Sequence, residues 1–578
     1  MHFRHYLARK ITAMQQQSTL EDIQDFKGAY PKQIWGMFFS EMWERFCFYG
    51  MRGMLTYFMV YQLAMDSKVA NLQYGATQAW VYSFTFIGGL FADKILGFRK
   101  SLFWGGLMMI IGSVLLAIDP HKLFFLGIAF NIIGTGFFKP NISSMVGSLY
   151  KDNDARRDAG FLLFYSGINI GAFLGGYVIT IGKGSTLAWL FPENLRWNVA
   201  FGLAAIAMTI SLVTFLFTKK NLGPIGMPPV AMLENPGKRW QEYAVYIGAL
   251  VSIPLIRIMV KNTEYTDYFM YMVGPLALIY LIYEMSFYKS ESGSSTNAIA
   301  FFISLLPVAL AFYYFLGGTI VRGENCEMSV SLRLLISLFL LVYVFWGIFK
   351  FCSPMQKKLI SALLFILFSI VFWAIFEQAG GSLSLFAADN VGDTMLGFIK
   401  QDPNAINNSI NALFVIFFAP LVGILFIQMS KHKLEPNTVV KFGLGFLFLG
   451  AAFYLFYAIR FTAGTDGVGS LNLFTLAYFV VTLGELFLSP IGLSIITKLS
   501  PQRLQGFMMG MWFLASAYGQ YAAGLFGASI TPDATASKMD KMLTYTEGYA
   551  QFANYALIAG VLLILISPLM RKLMQEVR

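Results

Sequence analysis

Charge is scarce in this 578-residue chain: Asp, Glu, Lys and Arg make up 13% of it, about half the share of a soluble domain. Cysteine and histidine are scarcer still, with three cysteines (Cys47, Cys326, Cys352) and four histidines (His2, His5, His121, His432). The cysteines are far apart and share no ligand spacing, and no histidine falls inside an apolar run, so neither a disulfide framework nor a zinc site is expected. A membrane-embedded enzyme needs a nucleophile with a base, or a metal cluster, within reach, and that constellation is missing. No cofactor is expected. The first thirty residues carry Arg4, Arg9, Lys10 and Lys27 without the short apolar core of a cleavable signal, and read as a cytoplasmic arm.

Apolar residues dominate instead, at 57% of the chain with 17% aromatics, 53 Gly and 19 Pro, as in a polytopic helical bundle in which Gly and Pro are frequent. About 20 apolar residues cross a bilayer. Such runs lie at 33–62, 72–92, 100–118, 122–149, 159–182 and 197–218, and again at 359–387, 409–428, 442–460, 472–497, 506–530 and 549–570. Between the two sets, further runs lie near 240–260, 268–288, 297–317 and 333–351. The inserted block should hold an even number of spans, because Lys219 and Lys220 leave one set on the same basic side from which Lys357 and Lys358 enter the next. The expected organisation is an arm (1–32), a six-helix bundle (33–218), a linker with inserted helices (219–358), a second six-helix bundle (359–570) and a cytoplasmic tail (571–578). A net charge of +11, taken alone, points to nucleic acid. With both termini inside, however, the excess of Lys and Arg falls in inner loops, as the positive-inside rule requires, and the bilayer is the partner.

Seven charged residues remain at membrane depth: Glu41, Glu44, Arg45, Arg52, Lys139, Glu377 and Glu485. Each costs at least a few kcal/mol there unless paired or wetted, and such residues mark ion and substrate paths. At about 100° per residue, Glu41, Glu44, Arg45, Tyr49 and Arg52 share one face of the first span over roughly 16 Å. In lipid that stripe must face the bundle interior or a water-filled cavity. The plainer alternative is an ion-pair ladder that only fixes helix packing, since Glu41 and Arg45 are four residues apart.

Six spans, an inserted block and six more resemble the layout of the major facilitator superfamily, whose pseudo-symmetric halves bind substrate at the midplane. Gly89, Asp93, Lys94, Gly97, Arg99 and Lys100, in GLFADKILGFRK, resemble that superfamily's charged gate motif after the second span. Stronger still, EMWERFCFYGMRG (Glu41 to Gly53), GTGFFKPNISSMVGSLY (Gly134 to Tyr150), FYSGINIGAFLGG, FWAIFEQAGGSLSLFA, SINALFVIFFAPL and GELFLSPIGLSIITKLSP follow one another as do the signatures of the proton-dependent oligopeptide transporter (POT, or peptide transporter) family. Several signatures in order are specific where one alone is weak.

The resemblance implies an all-α major facilitator fold, with 14 spans expected from the family against 16 from hydropathy. It implies proton-coupled symport of di- and tripeptides across the inner (plasma) membrane by alternating access, driven by the proton gradient. Glu41, Glu44, Arg45, Lys139 and Glu377 would then serve proton coupling. Arg52 and Lys139 would hold the substrate carboxylate, Glu485 with Asn169 and Asn411 its amino group, while Tyr49, Tyr82, Ser489 and Trp512 would line pockets. Phe48 stands where the family usually has tyrosine. Ala412 replaces a frequent proline, so a straighter helix is expected there. The alternatives are the same fold carrying another anionic or zwitterionic solute, such as nitrate or an amino-acid derivative, and, further off, a channel.

A zwitterionic peptide has opposite charges at its ends, and the sequence places cations in the first set of spans and the acid Glu485 in the second. Lysine and arginine dock carboxylates through charge-assisted hydrogen bonds. A proton on a glutamate releases its basic partner, which is then free to bind the carboxylate.

Overall fold

The computed structural model describes residues 19–151, 154, 156–234, 236–287, 296–312 and 329–575. His2, His5, Cys326, most of the N-terminal arm, the end of the 297–317 run and residues 576–578 of the tail lie outside the described residues. Six long helices come first: α1 (Gln33–Tyr61), α2 (Ser67–Phe91), α3 (Phe98–Ile118), α4 (Phe124–Gly147), α5 (Arg156–Gly176) and α6 (Arg196–Thr218). The inserted block supplies α7 (Arg239–Lys261), α8 (Thr263–Phe287), α9 (Thr296–Phe312) and α10 (Val330–Phe351). There follow α11 (Pro354–Phe376), the short α12 (Ser382–Asn390), α13 (Pro403–Lys431), α14 (Thr438–Ala458), α15 (Leu471–Leu499), α16 (Gln505–Ser529) and α17 (Lys538–Met574). A two-stranded hairpin, β1 (Thr394–Met395) against β2 (Ile399–Lys400), joins α12 to α13.

Every apolar run read from the sequence meets a helix, and among the described residues eleven helical segments are long and apolar enough to cross a membrane. The charged α1 is not among the eleven, and neither are α2 and α4, which carry buried amides. Polar side chains set several starts by accepting from otherwise orphaned N–H groups. Asp66 caps α2, Asp402 caps α13, and Ser353 forms a reciprocal capping box with Gln356 ahead of α11, whose first residue is Pro354. The helix α13 runs unbroken through Ala412, with its one internal proline at Pro420, as expected where no proline removes a backbone donor.

Two large apolar cores hold most of the buried apolar residues among those described. One gathers α1 to α6 with residues such as Met54, Phe58, Met109, Phe138 and Phe201; the other gathers α11 to α17 around Phe365, Phe446, Phe456 and Tyr549. The insertion belongs to both. Val245, Ala249, Ile253, Ile256 and Val260 of α7 join the first core, whereas Leu281 and Met285 at the end of α8 join the second together with Phe301, Phe302 and Ile348.

The halves meet along two seams. In one, α5 packs on α13; in the other, α2 packs on α16 so closely that a side chain at Gly75 would run into the backbone of Gly524, and the reverse. The helix α8 lies over this second seam and is bonded to each side of it. Trp80 Nε1 of α2 donates to Thr266 Oγ1 (3.1 Å), and just ahead of α8 Gln73 Nε2 donates to the carbonyl of Lys261, the last residue of α7 (2.9 Å). From α16, the Tyr521 hydroxyl donates to Asp267 (2.6 Å), while the Tyr518 hydroxyl donates to the Met270 carbonyl and accepts from Gly274 N–H (2.8 Å). The inserted block has almost no midspan charge. At this seam its contacts are made by hydroxyls, an indole, an amide, the Asp267 carboxylate and backbone groups, most of which hydropathy does not register.

The Gly75 crossing makes a direct prediction. Gly75→Leu should lower the melting temperature of the detergent-solubilised protein by several degrees, because overpacking costs about 1–3 kcal/mol; unchanged melting would show that the seam yields freely.

Candidate functional site

Between the halves lies a cavity of about 150 Å³. Its first wall is Tyr49, Arg52 and Gly53 of α1 with Tyr82 of α2. The opposite wall is Trp373 and Phe376 of α11, the turn Glu377–Gly380, Asn407, Asn408 and Asn411 of α13, and Tyr478, Val481 and Glu485 of α15.

The polar stripe of α1 faces inward, as its periodicity requires. Glu41, Glu44 and Arg45 are fully enclosed, and one guanidinium is shared between two carboxylates: Arg45 Nε lies 2.7 Å from Glu41 Oε1 and 2.7 Å from Glu44 Oε2. Two turns along, Arg52 crosses the cavity to pair with Glu377, and its Nε donates to the Tyr74 hydroxyl at 2.7 Å. The first group is therefore an ion cluster within one half, the second an ion pair between halves. Lys139 of α4 makes no ion pair within 4 Å among the described residues. Its ammonium lies over the Tyr82 ring at 4.5 Å from the centroid and 5.8 Å from that of Phe48, where the ring faces attract a cation.

On the far wall, Glu485 accepts from Asn411 Nδ2 at 3.1 Å, and the same amide donates to Thr482 Oγ1 at 3.0 Å. Acid and cation thus stand on opposite walls. Of the other residues picked from the sequence, Tyr49 and Tyr82 line the cavity. Asn169 is buried and donates to the Tyr165 carbonyl four residues back (2.9 Å), so its amide is occupied within α5. Trp512 is buried against Gly492, between α16 and α15, and Ser489 lies on α15 beyond Glu485; neither is among the lining residues.

The segment expected to form the gate, Gly89 to Lys100, has its own geometry. Gly97 takes a left-handed φ of 74° and packs on Met227 and Pro228, a position closed to a β-carbon. Arg99 clamps the turn after α6, donating from Nε to the Ile225 carbonyl and from Nη2 to the Gly223 carbonyl, both at 2.6 Å. Gly89 faces Pro140, and Asp93 and Lys94 are exposed.

Sequence reasoning passed over Tyr74, Trp373, Asn407, Asn408 and Tyr478. Tyr478 donates to Asn407 Oδ1 (2.6 Å), Asn407 Nδ2 donates to the Ala379 carbonyl (2.7 Å), and Asn408 Nδ2 donates to the Gly53 carbonyl (3.1 Å). A usable signal was present: two adjacent amides, Asn407 and Asn408, in a run otherwise apolar enough to span a membrane. Among the described residues no cluster of His, Cys, Asp and Glu could hold a metal ion.

The halves are also tied at the face opposite Gln33 and Met574. Lys183 Nζ, after α5, pairs with Asp402 (2.8 Å) and donates to Asn404 Oδ1 (2.9 Å), while the Tyr61 hydroxyl donates to Asp389 (2.5 Å). At the other face, Lys100–Glu242 and Arg503–Glu284 run from each half to the insertion.

Comparison with known proteins gives a consistent picture. The sequence profile of the POT family matches residues 99–232 and 244–543. The peptide transporter YePEPT of Yersinia enterocolitica is 30% identical over 562 residues, covering 95% of this chain and 96% of that protein. A di-/tripeptide transporter of Lactococcus lactis subsp. cremoris is 29% identical over 564 residues, 95% of this chain and 97% of its own. The crystal structure of a mutant peptide transporter POT in complex with alafosfalin superposes with a TM-score of 0.70 at 29% identity, over 97% of this chain and all of the other.

The Lys183–Asp402 tie is testable. Asp402→Asn keeps an N-cap and removes the charge. A cysteine at Tyr57, whose ring lies 5.1 Å from the Lys183 ammonium, should then react several-fold faster with an impermeant maleimide added from that face. Equal labelling with and without the charge would show that closure does not depend on the pair.

Proposed function

This chain belongs to the POT family, and from that membership and the charge layout of its cavity we propose that it is a proton-coupled symporter of di- and tripeptides. It resides in the inner (plasma) membrane with both termini cytoplasmic and works by alternating access of the bundles 33–218 and 359–570, to which 219–358 is an insertion. The observation that carries the reading is the cavity itself: Arg52 and Lys139 stand on or beside one wall and Glu485 with Asn411 on the other. A peptide is bound by its two ends, the carboxylate by Arg52 and Lys139, the amino group by Glu485 and Asn411 with Asn169 behind. Charge-assisted bonds at both ends require a free amine and a free carboxylate. Tyr49 and Tyr82 flank the backbone, and Ser489 and Trp512 shape side-chain space.

Coupling follows from shared partners. Arg52 is engaged by Glu377, so a proton on Glu377 releases the guanidinium for the substrate carboxylate. A proton on Glu41 or Glu44 likewise leaves Arg45 with a single carboxylate and changes the field at Lys139. The glutamates and the substrate carboxylate thus compete for the same cations, so proton and substrate each ease the binding of the other. Gly89, Asp93, Lys94, Gly97 and Arg99 form the cytoplasmic gate.

Purified protein in liposomes should accumulate labelled dialanine under an inward proton gradient, and gradient-independent equilibration would refute symport. Glu41→Gln or Glu44→Gln should abolish accumulation yet leave counterflow; retained accumulation would remove them from coupling. Lys139→Ala should lose transport despite normal insertion, and uptake like that of the parent would favour the structural ladder.

A further inference from the structure

Arg52 has one neighbour that the charge argument leaves without a task. Tyr74 of α2 is 1% exposed, and its hydroxyl accepts from Arg52 Nε at 2.7 Å. Two close approaches seat it there. Gly75, the next residue, lets α2 come down onto Gly524 of α16. Gly380, just past Glu377, leaves the space that the hydroxyl fills, since a β-carbon at 380 would run into it. The Thr56 hydroxyl, also from α1, donates to the Gly380 carbonyl, and Asn407 holds the adjacent Ala379 carbonyl from the other half.

A guanidinium is a planar fork with five donors. Here the Nε edge is taken by Tyr74, which leaves the Nη ends turned to Glu377 and the cavity. Without an acceptor at Nε, a long flexible side chain would turn its fork freely, and the two parallel bonds that make arginine selective for a carboxylate would lose their geometry. We infer that Tyr74 is a positioning residue for substrate recognition: its hydroxyl holds the Arg52 fork so that the Nη ends meet either Glu377 or the carboxylate of a peptide. This rests on the reading of Arg52 as the carboxylate dock. Tyr74 itself does not line the cavity.

The test uses the full-length protein in liposomes and compares two inhibitors of labelled dialanine uptake, unlabelled dialanine and its C-terminal amide, which lacks the carboxylate. Tyr74→Phe keeps the ring and removes the acceptor. The half-inhibitory concentration of dialanine should rise about tenfold, the scale of a hydrogen bond to a charged group, while that of the amide stays as in the parent and thereby reports a folded protein. Gly380→Ala, which pushes a methyl group into the place of the hydroxyl, should copy this loss of preference. An equal shift for both inhibitors would overturn the inference and reduce Tyr74 to a packing residue between the halves. Arg52→Lys separates the two levels. If it abolishes the preference for the carboxylate and Tyr74→Phe does not, the positioning role alone falls. If Arg52→Lys keeps the preference, the dock lies elsewhere and both readings fall.

Discussion

The low-dielectric interior tolerates charge only where charge is answered, and the Arg52–Glu377 pair is where that constraint joins the two halves. Either residue alone would be costly at membrane depth. Paired, they place α1 against the turn after α11, and neighbouring contacts follow the same line: Tyr74 on Nε, Thr56 on the Gly380 carbonyl, Asn407 on the Ala379 carbonyl. The cavity exists because these groups need one another more than they need apolar neighbours. Under the proposed function, a substrate carboxylate that replaces Glu377 as the partner of Arg52 would meet an arrangement already shaped around one.

The helices were legible in the sequence because hydropathy and span length are strong signals in a membrane. Every run found a helix, including the four inserted ones. The stripe on α1 was also legible, since periodicity alone puts Glu41, Glu44, Arg45 and Arg52 on one face. Pairing was less accessible. Lys139 could be matched on paper with several acids, yet it rests on Tyr82 and Phe48, and Glu377 takes Arg52. Partner choice depends on helix rotation and depth, which a single sequence specifies only through distant packing. Phe48, which departs from the expected tyrosine, presents a ring face to this cation where a hydroxyl would otherwise be available.

Uncharged polar residues were the larger omission. Tyr74 and Tyr478 sit in apolar runs and look like ordinary core or helix-contact residues, and their roles, like the partners of Asn407, appear only once the turn at 377–380 is folded against them. Asn169 and Trp512, which motif context draws toward the cavity, also have local partners: the first donates within α5 and the second packs against Gly492.

The helix pair α7 and α8 bears on how small such a protein can be made. Trp80, Tyr518 and Tyr521 all direct their polar atoms into α8. Excising 239–287 would turn an indole and two hydroxyls toward hydrocarbon, where a donor without an acceptor costs several kcal/mol. A version of this chain without α7 and α8 is therefore not reached by deletion alone; the newly bared faces of α2 and α16 would have to be rewritten in apolar residues at the same time.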